Sequence, residues 1–223
     1  MIHLHTNRRS LLRTAILFAF LPISAFSQPF TFGAKLGIPA EQFLNTVQTG
    51  NIGFASYTNR YLVGPTAELR LPFGLGLEVD ALYRHYSFFS PGFRTPPPVI
   101  QLIDGYESVH SGDWEFPLLA KYRFGRRKFI RPYVEAGPAW DVLQRLDATV
   151  CSINCGNTSV TPSLRRNAVT GFVSGAGVRL GAGFLSVSPE IRYTRWGSEH
   201  FVSSTGNLAS NRNQLEVLLG VTF

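Results

Sequence analysis

Charge and methionine are scarce. Charged residues make up 16% of the 223 positions and Met occurs once, against about 25% charge in typical soluble domains. So little charge excludes a disordered chain and a coiled coil. Beyond the first residues there is no apolar run of about 20, so the chain does not cross a membrane as helices. Nor is the base excess gathered in one place along the sequence. The net charge is +7, but Arg8, Arg9 and Arg13 sit in an acid-free N-terminal stretch, and the remaining 18 bases face 14 acids with no run concentrating them. The electrostatic footprint of a nucleic-acid binder is missing, and no nucleic-acid partner is expected.

Glycine (21) and phenylalanine (18) are plentiful. Residues 1–27 read as a signal peptide: a basic start, an apolar stretch around Leu11 to Leu21, then Ala25-Phe26-Ser27 with small residues at the first and third positions. That apolar stretch is too short to span a bilayer as a helix. Arg8-Arg9-Ser10-Leu11-Leu12 admits a twin-arginine reading, but an ordinary basic n-region is the simpler one. No Cys follows the cleavage site, so a lipoprotein is not expected. Residues 28–223 form the mature chain, expected outside the cytoplasm.

What recurs through that chain is alternation with period two. In the last segment Leu215, Val217, Leu219, Val221 and Phe223 alternate with Gln214, Glu216, Leu218, Gly220 and Thr222. Eight such segments stand at about 29–38, 61–71, 75–87, 112–124, 130–142, 170–180, 184–196 and 213–223. Each is long enough for a tilted strand to cross a bilayer, which takes about 9–11 residues. Within them Lys35, Glu68, Arg70, Glu78, Asp80, Arg84, Asp113, Glu115, Lys121, Arg123, Arg131, Glu135, Asp141, Arg179, Glu190, Arg192 and Glu216 all share the face opposite the apolar one. Arg195 and His85 break the rule near strand ends, where a long side chain can reach the interface.

Alternation alone fits a soluble sandwich as well. The aromatics decide against it. Phe30, Phe73, Phe124, Phe129, Phe184 and Phe223 fall at one set of segment ends, and Tyr83, Trp140, Tyr193 and Trp196 at the other. Two aromatic girdles around an apolar band mark an outer-membrane barrel. The connections agree, alternating long (39–60, 88–111, 143–169, 197–212) with short (Pro72-Phe73-Gly74, Gly125 to Phe129, Gly181-Ala182-Gly183). The expected fold is all-β, an eight-stranded antiparallel transmembrane β-barrel of the bacterial outer membrane with both termini periplasmic.

The stretches WEFPLLAKYRF (114–124), RPYVEAGPAW (131–140) and SPEIRYTRW (188–196) resemble the outer-membrane protein β-barrel domain family, relatives of the outer-membrane protein A barrel and the opacity-type porins. The resemblance spans essentially the whole mature chain and implies an architecture rather than an activity. The run ending in Phe223 is similar to the signal by which the barrel-assembly machinery recognises its clients, which implies that machinery as a partner. With Phe223 last, no periplasmic peptidoglycan-binding domain is expected.

An eight-stranded barrel has an interior that side chains can fill. Nine inward acids and eight inward bases nearly cancel, so a salt-bridged plug is expected, its network drawn from Lys35, Glu68, Arg70, Glu78, Asp80, Arg84, Glu115, Lys121, Arg123, Glu135, Arg179, Glu190, Arg192 and Glu216. The inward glycines Gly33, Gly37, Gly64, Gly76, Gly171, Gly175 and Gly177 would then make room for long side chains rather than clear a channel. The pairs Glu78/Asp80 and Asp113/Glu115 read as ion-pairing groups rather than acid–base catalysts, given Arg84, Lys121 and Arg123 nearby.

No catalytic residue, cofactor or metal is expected. The leading reading is an integral barrel with a largely closed lumen, serving envelope integrity or loop-mediated surface binding. A narrow-pore porin for small solutes comes second. A lipid-modifying hydrolase using His85 and Ser87, two apart on the lipid-facing side of one strand, comes third, since no oxyanion donor is identifiable. Cys151 and Cys155, alone in the third long loop, read as a short-loop disulfide in an exported protein. The second long loop sets Pro91, Pro96, Pro97 and Pro98 among Phe88, Phe89, Phe93 and Tyr106, aromatics that either contact a surface ligand or cap the barrel mouth. Arg60, Arg94, Arg145, Arg165, Arg166 and Arg212 in the long connections offer guanidinium groups to lipopolysaccharide phosphates or serve solubility alone.

Overall fold

The computed structural model describes residues 30–42, 44–46, 55–56, 58, 60–91, 106–125, 129–151, 155–158, 164–182, 184–202 and 208–223. The proposed signal peptide lies outside them. Eight walls form. Strand β1 is Phe30–Pro39 and β2 is Leu62–Arg70; β3 runs as Leu75–Asp80 and Leu82–Pro91, interrupted at Ala81. Then come β4 (Tyr106–Arg123), β5 (Ile130–Cys151), β6 (Ala168–Ala182), β7 (Leu185–Trp196) and β8 (Asn213–Thr222). Every strand pairs antiparallel with its sequence neighbours, and β1 closes the ring on β8 from Gly33↔Thr222 to Pro39↔Glu216. Closure gives each of the eight walls a neighbour on both sides.

Burial is inverted relative to a soluble fold. Phe32 and Ile191 are 56% and 55% exposed, while Lys35 and Arg192 are 2% and 0% exposed. Leu36, Ile38, Val79, Val217 and Leu219 are likewise exposed; Glu78, Asp80, Glu135 and Glu216 are buried. A sandwich packs its apolar faces together and wets the charges. Here the period-two alternation points charge into the bore and leaves the apolar face for lipid.

The turns between β2 and β3, β4 and β5, and β6 and β7 gather at the end where the termini meet. The first is a 3-10 turn, Pro72–Gly74, with Phe73 at φ 63° and its ring 92% exposed. A bulky residue rarely takes that left-handed conformation. At the opposite end the walls run further than the alternation suggested, because β4 and β5 reach 18 and 22 residues. Their extension absorbs parts of two expected connections, since Val109, Leu143 and Ala148 keep an inner apolar face buried. Short strand pairings accompany it, Ala55–Ser56 against β3 among them. Leu44–Thr46 pairs with Leu208–Ser210, and Cys155–Thr158 folds back on β5.

One expected girdle residue is misplaced. Trp196 shares parity with Arg192 and Thr194, points inward, is buried, and donates its indole N–H to Gln214 Oε1 at 2.7 Å.

Candidate functional site

Among the described residues the bore gathers the densest cluster of charged side chains, and it is layered along its axis. The middle layer holds seven charged groups from five strands: Lys35 (β1), Glu78 and Asp80 (β3), Lys121 (β4), Glu135 (β5), and Glu190 and Arg192 (β7). Lys35 Nζ donates to Glu78, Glu190 and Asp80 at 2.6, 2.7 and 3.1 Å. Lys121 Nζ reaches Glu78 at 2.5 Å and Glu135 at 3.0 Å. The Arg192 fork spans the bore, with Nε to Glu135 at 2.7 Å and Nη2 to Asp80, Glu190 and Glu78 at 2.7, 2.9 and 3.0 Å. Tyr133 donates its hydroxyl to Glu190 at 2.5 Å and sets its ring 4.4 Å from Lys121 Nζ.

Glu78, Glu135 and Glu190 bring carboxylate oxygens within 4.8 Å of one another, a spacing that could hold a metal ion. Lys35, Lys121 and Arg192 already fill that position with protein cations, so the residues present do not fit a metal. The inward glycines are equally occupied. A Cβ on Gly175 would lie 2.9 Å from Glu135 Oε1, and one on Gly177 would lie 2.6 Å from Tyr133 Cζ.

Toward the long-loop end the balance turns acidic. Asp113, Glu115, Asp141 and Glu216 surround Arg84, all buried. Arg84 donates from Nη2 and Nε to Asp113 Oδ2 at 2.8 and 3.3 Å. Gln214 donates to Glu216 at 2.7 Å. Among the described residues neither Glu115 oxygen has a hydrogen-bond partner. His200, beyond β7, brings Nε2 to 3.2 Å from Asp141, with Nδ1 2.8 Å from the Arg166 carbonyl. Burial pushes the His200 ring below its ordinary pKa, outweighing the pull of Asp113 and that carbonyl toward the charged form. Above this layer Leu44, Tyr86, Phe88, Val109, Leu143, Ala148 and Phe201 form an apolar plug. Phe201 stands edge-on to Tyr86 and Phe88 at 5.4 and 5.6 Å.

Toward the short-turn end the balance turns basic. Arg70, Arg123, Arg131 and Arg179 gather there, and Glu68 is ion-paired with Arg123 and lies 3.8 Å from Arg179. The near-cancellation of inward charge therefore hides an axial separation. Sequence parity shows that a residue faces inward; its height depends on register between strands, which parity does not show. The cavity between the middle layer and this basic end, bordered by Lys35, Glu78, Lys121 and Arg123, measures about 10 Å³, room for at most one water.

The expected network residues thus divide three ways: Lys35, Glu78, Asp80, Lys121, Glu135, Glu190 and Arg192 meet in the middle, Arg84, Glu115 and Glu216 above, Glu68, Arg70, Arg123 and Arg179 below. Tyr133, His200 and Phe201 were missed. Tyr133 had a signal, sharing the parity of Glu135. His85 and Ser87 lie two apart on β3, with Ser87 buried. The His85 ring stacks on His110 at 6.2 Å, and His110 Nε2 lies 3.2 Å from Ser108 Oγ. Backbone register sets Cys151 opposite Cys155, while their side chains lie outside the described residues, as do Pro96, Pro97, Pro98, Phe93 and Arg94. Arg212 serves the fold, donating to the Trp196 and Gly197 carbonyls at 3.2 and 2.9 Å. Phe223 is exposed and its N–H donates to the Phe32 carbonyl at 2.9 Å.

Residues 26–197 match the family model described as outer membrane protein beta-barrel domain. No curated protein sequence matches the chain. Among solved structures, it is similar to the outer membrane protein OprG from Pseudomonas aeruginosa, at 12% identity and a TM-score of 0.52, covering 86% of this chain and 93% of that one. The N-terminal β-barrel domain of Pseudomonas aeruginosa OprF is 16% identical with a TM-score of 0.43, covering 88% and 97%. Likeness at these identities speaks to the fold alone.

Proposed function

The chain belongs to the outer membrane protein β-barrel domain family, and from that premise we propose a non-enzymatic barrel with a closed bore, serving as an envelope scaffold that carries surface-binding loops. One observation carries this reading: Arg192 and the two lysines knit four carboxylates across the full bore above a cavity of about 10 Å³. Ions need a continuous wet path, and a bore filled from wall to wall by ion-paired side chains denies it. The apolar plug around Phe201 adds a second seal. The loops face the cell exterior and both termini face the periplasm in this reading, as in barrels with short periplasmic turns. Lipid and lipopolysaccharide surround the wall, and the barrel-assembly machinery inserts it.

The test is single-channel recording of the refolded, signal-free protein in a planar bilayer, alongside a gel comparing heated and unheated samples. Silence with a heat-shifted, folded band is the expected result. Discrete, reproducible steps would overturn the closed bore and favour the narrow-pore porin.

A further inference from the structure

The basic mouth has no use in a closed scaffold. Arg131 on β5 and Arg179 on β6 are direct cross-strand partners, an arrangement of like charges that destabilises a sheet unless something offsets it. Arg70 on β2 is half-buried; its Nε is shielded from solvent and has no hydrogen-bond partner among the described residues. Arg123 is taken by Glu68 and by the Leu75 carbonyl at 3.3 Å. Arg179 donates to Ser186 Oγ at 2.9 Å. Elsewhere in the bore every base faces at least one acid of its own; here, among the described residues, Arg123 and Arg179 share Glu68. Arg70, Arg123 and Arg131 line an open cavity of about 330 Å³, together with Leu71, Gly74 and Gly125 among the described residues.

We propose that this cavity binds a phosphate-bearing anion, with Arg70 and Arg131 as its principal ligands. The guanidinium fork suits phosphate oxygens by geometry as well as charge, and the cavity has room for such a group with its waters. Bound anion would relieve the Arg131–Arg179 repulsion and supply the partner that Arg70 Nε lacks. The phosphate comes either from a lipid headgroup at the membrane boundary or from a soluble phosphate. The site stands independently of whether the bore conducts.

The measurement is isothermal titration of the folded barrel in an uncharged maltoside detergent. Inorganic phosphate is one probe, and a short-chain phosphatidylglycerol below its micelle concentration is the other. Saturable binding of at least one probe is expected, weakened roughly tenfold by Arg70→Gln and by Arg131→Gln, the loss of one charge-assisted contact. Arg165→Gln, on an exposed residue at the opposite end, should change nothing. Binding of the lipid alone assigns a headgroup site; binding of phosphate alone assigns a soluble anion. If neither probe saturates, or if both glutamine variants bind like the parent, the proposal fails. Arg131 sits at the exposed rim, so its variant carries the test if Arg70→Gln does not fold. A conducting bore with intact anion binding would overturn the closed scaffold and leave this site standing.

Discussion

Replacing Arg192 with Gln tests the middle layer most directly. The side chain is wholly buried and meets four carboxylates at 2.7–3.0 Å. Gln keeps much of the volume and removes the charge. Lys35 and Lys121 would then face Glu78, Asp80, Glu135 and Glu190 alone. Removing one partner of a buried ion pair costs about 3–5 kcal/mol, because the other charges stay buried and uncompensated. That is roughly two to three and a half orders of magnitude in the folding equilibrium, at about 1.4 kcal/mol per decade. Reversible urea unfolding in lipid vesicles, followed by the folded band on unheated gels, would read it. Adding Glu135→Gln to Arg192→Gln should restore part of the loss, since one orphaned carboxylate disappears with it. Molar salt should change the difference little, because the Debye length of about 3 Å applies to solvent that the layer excludes. A loss below about 1 kcal/mol, or a double variant no better than the single one, would refute the view that these charges hold one another in place.

Phe201→Ala should destabilise the barrel by about 3 kcal/mol, as large-to-small changes in packed cores do, and should expose the neighbouring loop to limited proteolysis; an unchanged digestion pattern would count against the plug. Gly177→Ala should cost about 1–3 kcal/mol through overpacking against Tyr133 and Glu190, read by the same unfolding titration, whereas a cleared channel would tolerate it. The buried His200 ring prefers to be neutral while the unfolded ring titrates near pH 6.5. The unfolded state therefore takes up more protons below that pH, and stability should fall as pH drops through about 6.5. His200→Gln should flatten that part of the stability–pH profile. Intact mass before and after reduction should differ by two hydrogens if Cys151 and Cys155 are bridged.

Much of the wall was legible along the chain, because a barrel strand has only two faces and Lys35, Glu78, Lys121 and Arg192 each declare theirs by parity. The same rule, applied strictly, places Trp196 inward with Arg192. What parity cannot carry is height. Arg131 and Arg179 stand side by side, as do Glu115 and Asp141, and those meetings depend on stagger between strands rather than on spacing within one. The reach of β4 and β5 was hidden for a different reason. Past the bilayer the outer face no longer needs to be apolar, so the contrast between faces fades although the backbone pairing continues. Phe201 lay in a stretch with no alternation at all; bridges from Leu164 to Phe201 and from Val202 to Ala209, with the Ser210 N–H donating to the Phe201 carbonyl at 3.0 Å, hold it over the bore.

The 22 residues of β5 also have a mechanical meaning. At about 3.3 Å per residue they extend roughly 70 Å, and a tilt near 40° leaves roughly 55 Å of height against an apolar band of about 25 Å. With β4 hydrogen-bonded alongside as far as Tyr106↔Cys151, the excess stands up as a stiff mast on the long-loop side. Whatever meets the tip of that hairpin meets it well clear of the lipid headgroups, at a stand-off distance set by strand length rather than by a flexible tether.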